Sequence, residues 1–199
     1  MFTGIVQELG SVNALLKNES GFTLEVAVNE GFSDGLLIGA SIAVNGCCLT
    51  VTEFDQNSIS FDVIKETIRV TNLEYLELAD KVNLERSLKY GDEVGGHIIS
   101  GHVSCGAEAI LKKQEGETEL VMKCPAEWRK YILLKGYVAV NGASLTVAKV
   151  SQDGFSVFLI PETLASTNLS LIGDKDQVNI EIDQATMAAF TAAETWLEE

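Results

Sequence analysis

The chain has 199 residues, of which 46% are hydrophobic, and its 29 acidic and 14 basic side chains give a formal net charge of −15. A field of that sign repels phosphate backbones and anionic lipids, so the composition argues against nucleic acid or a membrane as a partner. The chain shows neither an apolar run of the roughly 20 residues that cross a bilayer nor a signal peptide, so we expect a cytoplasmic protein.

The first half of the chain is predicted to consist mainly of strands. Apolar and polar residues alternate with period two in residues 23–28 and 58–63, as they do in half-buried strands. Residues 41–44 and 49–52 flank an Asn-Gly pair, which supplies the positive φ angles of a tight turn and predicts a hairpin. A turn or two of helix is expected within residues 66–73.

The second half is predicted to repeat this order and to end in a helix. Residues 138–140 and 145–147 flank a second Asn-Gly pair, residues 155–160 alternate as a strand, and residues 162–169 predict another short helix. The alanine-rich tail predicts the longest helix, with Asp183 as its N-cap. Turn signals about every 8–12 residues indicate small barrels or sandwiches.

The two halves are copies of one another. The segment Asn45–Val51 returns as Asn141–Val147, and Val82–Glu85 returns as Val178–Glu181, each 96 residues later. A period of this length indicates two whole domains rather than a solenoid. We place the first domain at residues 1–96, the second at 97–183 and the helix at 184–199.

The tail helix carries bulky apolar side chains at Met187, Phe190 and Trp196. They allow two arrangements, which are packing against the second domain of the same chain and contact with other copies. A single helix after two β domains has only part of its apolar face committed within the chain, which favours the contact between copies.

The four cysteines indicate neither a metal site nor a redox couple. Cys47, Cys48, Cys105 and Cys124 show no C-x-x-C spacing. Neighbouring residues on a strand point to opposite faces, so Cys47 and Cys48 are not expected to pair with each other. Reduced thiols are typical of the cytosol.

Residues that both halves share indicate a common pocket. Thr50 and Thr146 occupy matching strand positions and can present hydroxyl and backbone groups to the edge of a heterocycle, although β-propensity also explains threonine there. Glu66 and Glu162 each follow a strand. A buried carboxylate at this position can accept hydrogen bonds from polyol hydroxyls, or it can cap the next turn.

Residues that differ between the halves indicate a division of labour. Cys48 corresponds to Ser144, so one half alone offers a thiol. A deprotonated thiol adds to electrophilic carbon, but a cysteine is also a common small strand residue. His102 corresponds to Ile5, and a histidine with a pKa near neutrality is suited to moving protons at pH 7.

Three further residues have no counterpart of the same type in the first half. His97 and His102, the only two histidines, are five apart and hence on opposite faces of a strand, which argues against a shared metal site. Lys135 matches a glycine and can either offset negative charge on a bound ring or lie exposed in a turn. Asp183 matches a serine and is expected to act as a helix cap first and an orienting carboxylate second.

These blocks together resemble the alpha-chain family of riboflavin synthase, over essentially the whole chain. The resemblance is carried by Met1–Gln7, Asn45–Thr52, Phe61–Leu73, Gly95–Val103, Ser144–Val147 and Ile160–Thr163. It implies an all-β fold of two tandem homologous six-stranded Greek-key β-barrels plus a C-terminal α-helix. It also implies a homotrimer in which each active site lies between neighbouring chains.

The resemblance further implies the reaction. This family converts two molecules of 6,7-dimethyl-8-ribityllumazine into riboflavin and 5-amino-6-ribitylaminouracil by four-carbon transfer, with no metal or other cofactor. Each site is expected to hold two antiparallel substrate molecules. The resemblance makes lumazine synthase a candidate protein partner.

The resemblance assigns two groups of residues to substrate binding. The group expected at the first barrel is Gly4, Ile5, Val6, Cys48, Leu49, Thr50, Asp62, Val63, Ile64, Lys65, Glu66 and Thr67. The group expected at the second barrel is Gly101, His102, Val103, Lys135, Ser144, Leu145, Thr146, Ile160, Pro161, Glu162, Thr163, Leu164 and Ala165. The expected catalytic residues are Cys48 for addition at C7 of the lumazine, His102 with Ser144 and Thr146 for proton transfer, and Asp183 for orientation.

Two other functions fit parts of the pattern. An antenna protein of the same fold would bind lumazine or flavin without turnover, but such relatives lose the second-half pattern that this chain keeps at His102 and at Ser144–Thr146. A flavin-reductase-type barrel would need a nicotinamide domain, and the chain contains no Gly-x-Gly-x-x-Gly. The sequence therefore favours the synthase.

Overall fold

The computed structural model describes residues 1–197 and shows two closed antiparallel barrels of six strands, followed by one long helix. The first barrel consists of β1 (Glu8–Asn18), β2 (Gly21–Ala27), β3 (Ser41–Val44), β4 (Cys47–Phe54), β5 (Ser58–Ile64) and β6 (Lys81–Arg86). The second consists of β7 (Cys105–Gln114), β8 (Glu117–Lys123), β9 (Tyr137–Val140), β10 (Ala143–Val150), β11 (Gly154–Phe158) and β12 (Asp176–Ile182). The helices are α1 (Lys65–Val70), α2 (Ala126–Arg129), α3 (Pro161–Ser166) and α4 (Gln184–Leu197). The predicted all-β fold with two tandem barrels is confirmed.

Both barrels have the same strand order. In the first, β1 pairs with β2, β2 with β5, β5 with β4, β4 with β3, β3 with β6, and β6 with β1; strands β7 to β12 repeat this pattern. The crossing from β2 to β5 makes each barrel a Greek key. Inward-facing side chains such as Leu24 and Val138 are fully buried, and each one stabilises the fold by about 1.5–3 kcal/mol.

The short helix predicted within residues 66–73 is split in two. α1 ends at Val70, Thr71 is extended with φ −126° and ψ 163°, and a 3-10 turn covers Asn72–Tyr75. The Thr71 hydroxyl accepts a hydrogen bond from the backbone N–H of Leu73, which caps the turn. The second barrel repeats this break at Thr167.

A network of buried asparagines joins the two barrels. Asn72 Nδ2 donates to Asn141 Oδ1 at 3.1 Å, and Asn168 Nδ2 donates to Asn45 Oδ1 at 3.0 Å. Matching residues thus make matching contacts, so a pseudo-two-fold axis relates the barrels. The network contains Asn45, Asn72, Asn83, Asn141, Asn168 and Asn179.

The C-terminal helix packs on the second barrel through one face. The Asp183 carboxylate accepts from the backbone N–H of Thr186 at 2.9 Å, so the predicted N-cap is confirmed. Met187 packs against the second barrel core, and the Phe190 ring meets the Tyr131 ring edge-on at 5.8 Å. Trp196 is 82% exposed, so the chain itself covers only part of the apolar surface of α4.

Among residues 1–197, no helix has the length and apolar character needed to cross a membrane.

Candidate active site

Two chain segments cross between the barrels and border the candidate sites. We call residues 1–6 the N-terminal arm and residues 97–103 the connecting arm. The arms pair with each other through Phe2 and Ile99, whose backbone groups exchange hydrogen bonds of 2.8 and 3.0 Å. After this crossing, Val6 packs against the core of the second barrel and Val103 against the core of the first.

The crossing corrects the grouping expected from the sequence. The backbone N–H of Ser144 donates to Gly4 O at 2.8 Å, and that of Cys48 donates to Gly101 O at 2.9 Å. The N-terminal arm, including Ile5, therefore borders the second barrel at Ser144 rather than the first at Cys48. The connecting arm, with His102, borders the first. The 96-residue repeat cannot reveal this exchange, because it shows which residues are alike and not which residues lie close together in space.

The first groove opens on the outside of the first barrel, where β4 and β5 separate. Their pairing ends at Val51 and Phe61, and the exposed side chains of Thr50, Asp62 and Ile64 lie beyond that point. The backbone N–H of Lys65, which follows β5, donates to Ser20 O at 2.9 Å in the turn just before β2. Because successive strand residues face opposite neighbours, the N–H of Ile64 points into the opening.

The second groove is the equivalent opening between β10 and β11. Their pairing ends at Val147 and Val157, and β11 itself ends at Phe158, two residues before the end predicted from the sequence. The groove is bordered by Thr146, Phe158 and Ile160. All three side chains are exposed. The N–H of Ile160 faces the opening, since its neighbour Leu159 donates to β8.

Three expected site residues can contribute only backbone to these grooves, and others lie in the short helices α1 and α3. Leu49, Val63 and Leu145 are buried in the barrel interiors, because they alternate with the outward-facing residues of the same strands. Lys65 and Thr67 lie in α1; Pro161, Glu162, Thr163, Leu164 and Ala165 lie in α3. These two helices form the far ends of the grooves.

The expectation that Glu66 is a buried carboxylate or a helix cap is wrong. Its side chain is exposed and binds Arg69 one turn along α1 at 2.6 Å, a contact that lowers the pKa of Glu66 below its ordinary value. Neither α1 nor α3 has a side-chain cap, so Glu162 does not cap α3. Both carboxylates remain accessible to a ligand at the groove ends.

The second groove holds a histidine that the sequence interpretation left without a role. His97 Nδ1 lies 2.6 Å from Ser144 Oγ, and the His97 ring stacks on Tyr137 at 5.1 Å. Burial lowers the pKa of His97, while the nearby Asp183 carboxylate partly opposes this effect. The imidazole is therefore neutral near pH 7 and can accept a proton from Ser144. The sequence offered no signal for this contact, since the first half has no counterpart of His97.

His102 lies at the first groove rather than beside Ser144 and Thr146, where it was expected. Its side chain is exposed, and its backbone N–H donates to Ser100 Oγ at 3.1 Å. Cys48 is half-buried beneath the same arm, whereas burial raises the pKa of its neighbour Cys47 to about 12. Cys48 is thus the thiol of this pair that a ligand can reach.

Lys135 adopts a left-handed backbone conformation with φ +65° at the start of β9. Its N–H donates to Val147 O at 2.9 Å, and its side chain is exposed two residues before Tyr137, whose Cα pairs with Thr146. This places a positive charge near the second groove. Within residues 1–197, no cluster of three or more His, Cys, Asp or Glu side chains is arranged to hold a metal ion.

Comparison with known proteins agrees with this architecture. The sequence matches the lumazine binding domain family over residues 3–87 and again over residues 100–183. It is 44% identical to riboflavin synthase of Escherichia coli K12 over 98% of this chain and 92% of that one. It is 38% identical to riboflavin synthase of Schizosaccharomyces pombe over 92% and 89%.

Solved structures show the same arrangement with ligands bound. LumP complexed with 6,7-dimethyl-8-(1'-D-ribityl) lumazine superimposes with a TM-score of 0.83 at 26% identity, covering 92% of this chain and 99% of LumP. LumP complexed with riboflavin gives the same TM-score at 27% identity, covering 92% and 100%. With two family matches and near-full-length identity of 38–44% to those synthases, the chain belongs to the lumazine binding domain family and, within it, to the riboflavin synthases.

Proposed function

We propose that this chain converts two molecules of 6,7-dimethyl-8-ribityllumazine into riboflavin and 5-amino-6-ribitylaminouracil. The observation that carries the proposal is a pair of equivalent grooves with unequal chemistry, one beside Cys48 and the other beside Ser144 and His97. A reaction between two identical molecules in different roles requires such a pair. The products together contain the atoms of the two substrates, so the reaction needs no oxidant or reductant.

Each groove offers hydrogen bonds to the edge of a flat heterocycle. The N–H groups of Ile64 and Ile160 and the hydroxyls of Thr50 and Thr146 border the openings at matching positions. The exposed carboxylates of Glu66 and Glu162 at the far ends suit the ribityl hydroxyls. Holding two rings in fixed orientation removes much of the entropic barrier to a bimolecular reaction.

The second groove is suited to proton removal. Neutral His97 can take a proton through Ser144 from the C7 methyl group of one lumazine, and Asp183 stabilises the imidazolium that forms. Lys135 offsets the negative charge that develops on the ring. At the first groove, we propose that Cys48 adds at C7 of the other lumazine or orients the group that adds, and that His102 donates or accepts the accompanying proton.

The two grooves must come together for this reaction, and we propose that a homotrimer achieves it. Apolar side chains are exposed at matching positions near the grooves, with Leu37 and Ile38 on the first barrel and Leu133 and Leu134 on the second. The uncovered face of α4 adds a further contact surface. Sedimentation velocity of the full chain tests the assembly, and a fully active monomer at micromolar concentration would contradict a site shared between chains.

Antenna function remains the second candidate because the superimposed LumP structures hold lumazine and riboflavin. Incubating the chain with 6,7-dimethyl-8-ribityllumazine alone and following flavin absorbance separates the two functions. The synthase produces a rising flavin spectrum, whereas an antenna protein leaves the lumazine spectrum unchanged.

The four free cysteines are compatible with the cytoplasm. Co-sedimentation with lumazine synthase tests the candidate partnership.

A further inference from the structure

Two buried carboxylates hold the arms in place. Glu85 on β6 accepts hydrogen bonds from the backbone N–H and hydroxyl of Thr3, at 2.6 and 2.8 Å, and from the N–H of Gly4 at 3.0 Å. Glu181 on β12 accepts the same three bonds from Ser100 and Gly101, at 2.7, 2.7 and 3.0 Å. The two glutamates are only 4% and 5% exposed.

Each carboxylate holds the arm that borders the other barrel. Glu85 belongs to the first barrel, yet the arm that it holds places Gly4 O against Ser144 N in the second barrel. Glu181 belongs to the second barrel, yet its arm places Gly101 O against Cys48 N in the first. The connection between each glutamate and its groove therefore crosses the pseudo-two-fold axis.

The arms lie close enough to the groove residues that small movements matter. A Cβ atom added at Gly4 would lie 2.5 Å from Ser144 Cβ, and one added at Gly101 would lie 2.5 Å from Cys48 Cβ. The same arm segments also contact the two histidines, since His97 N donates to Thr3 O at 3.1 Å and His102 N donates to Ser100 Oγ at 3.1 Å. An arm that loosens must change the surroundings of the histidine and of the groove residue that it contacts.

We propose that Glu85 and Glu181 are positioning residues that act crosswise, with Glu85 fixing the Ser144 side of the second groove and Glu181 fixing the Cys48 side of the first. The proposal rests on the proposed function only in taking these grooves as the substrate sites. Burial raises the pKa of both carboxyls, so the hydrogen bonds from the arms compensate for holding these groups out of water.

The decisive experiment compares Glu181→Gln with Glu85→Gln in the full chain. Glutamine keeps the shape, but its NH₂ group cannot accept, so each variant loses at least one arm contact. We expect Glu181→Gln to raise the iodoacetamide alkylation rate of Cys48 on the order of tenfold, because losing a charge-assisted hydrogen bond shifts local opening by about that factor. In Glu85→Gln the Cys48 rate should stay within about twofold of the unmodified chain.

Histidine ring NMR signals supply the reciprocal readout. Glu85→Gln should shift the His97 ring signals and leave those of His102 in place. Glu181→Gln should shift the His102 signals more than those of His97, which lies at the start of the connecting arm but is bound to Thr3 of the N-terminal arm. The crosswise assignment would be overturned if each variant changed the groove of its own barrel. It would also be overturned if both variants changed both histidines and Cys48 equally. Neither measurement involves turnover, so the result does not depend on whether the chain makes riboflavin.

Milder variants cover the case in which a glutamine variant fails to fold. Ser100→Ala removes one bond to Glu181, and Thr3→Val removes the matching bond to Glu85. The same crossed pattern is expected in these variants with smaller amplitude, and its absence in folded protein would contradict the proposal.

Discussion

His97 Nδ1 lies 2.6 Å from Ser144 Oγ in the second groove, while the other histidine of the chain lies at the first groove. The arm crossing separates two residues that are only five positions apart. Because only the His97 ring contacts a hydroxyl group through which it can receive a proton, the two histidines should behave differently when each is replaced.

We expect His97→Gln to lower turnover by roughly 10²–10⁴-fold, the usual contribution of a positioned acid–base group. The rate of the unmodified chain should fall on the acid side below about pH 6.5, because protonated His97 cannot accept a proton and burial places its pKa under the ordinary value. His97→Gln should lose this acid limb, and His102→Gln should keep it. An unchanged acid limb in His97→Gln would rule out His97 as the base.

The free energy of unfolding should depend on the protonation of His97 in the same pH range, independently of catalysis. The pKa of His97 is lower in the folded chain than in the unfolded chain, so the unfolded state binds more protons once the pH falls below about 6.5. The contribution of neutral His97 to the free energy of unfolding is present above that pH. It is lost as the pH falls through the pKa that His97 has in the folded chain. Urea unfolding between pH 7 and pH 5 should therefore show a larger loss of unfolding free energy in the unmodified chain than in His97→Gln.

We expect Cys48→Ser to lower turnover on the order of 10²-fold while the fold is retained, if the thiol assists addition at C7. The substitution gives the first groove the residue that the second already has at Ser144. Melting curves on the same preparations supply the control. A lowered melting temperature with normal turnover of the folded fraction would show that Cys48 only fills space beneath the connecting arm.

The sequence predicted the fold well because the repeat and the period-two alternation act locally, within single strands and turns. The crossing of the arms depends instead on Phe2 meeting Ile99, which are 97 residues apart and follow no local pattern. His97 was missed for the same reason, since its partner Ser144 is 47 residues away along the chain. Glu85 and Glu181 were recognised as part of the repeat but were given no role, because the arm residues that they bind lie far from them along the chain.

The asparagine network should contribute strongly to stability. Asn72→Ala removes the hydrogen bonds that Nδ2 donates to Asn141 Oδ1 and Gln177 O, and it leaves the buried Asn45 Nδ2 without its acceptor, at a cost of about 1–3 kcal/mol. Asn168→Ala should cost a similar amount, because Asn168 makes the equivalent contacts across the axis. Asn57→Ala, at an exposed turn, is the matched control and should change the unfolding free energy by less than about 0.5 kcal/mol.

The isolated first half, residues 1–96, should form a two-fold dimer that binds lumazine or riboflavin without turning lumazine over. Every asparagine that the second barrel contributes to the network has an identical counterpart in the first, so a second copy of the half can replace it. Gly4 of one copy would then lie against Cys48 of the other, as Gly101 does in the full chain.

Turnover should be lost because this fragment contains neither Ser144 nor His97. Sedimentation velocity measures the dimer, and fluorescence titration measures the binding. The same fragment carrying Asn72→Ala should shift toward monomer, since that residue supplies a contact across the axis. A stable monomeric fragment would show that the first barrel does not need a partner across the pseudo-two-fold axis, and turnover comparable to the full chain would contradict the division of labour between the grooves.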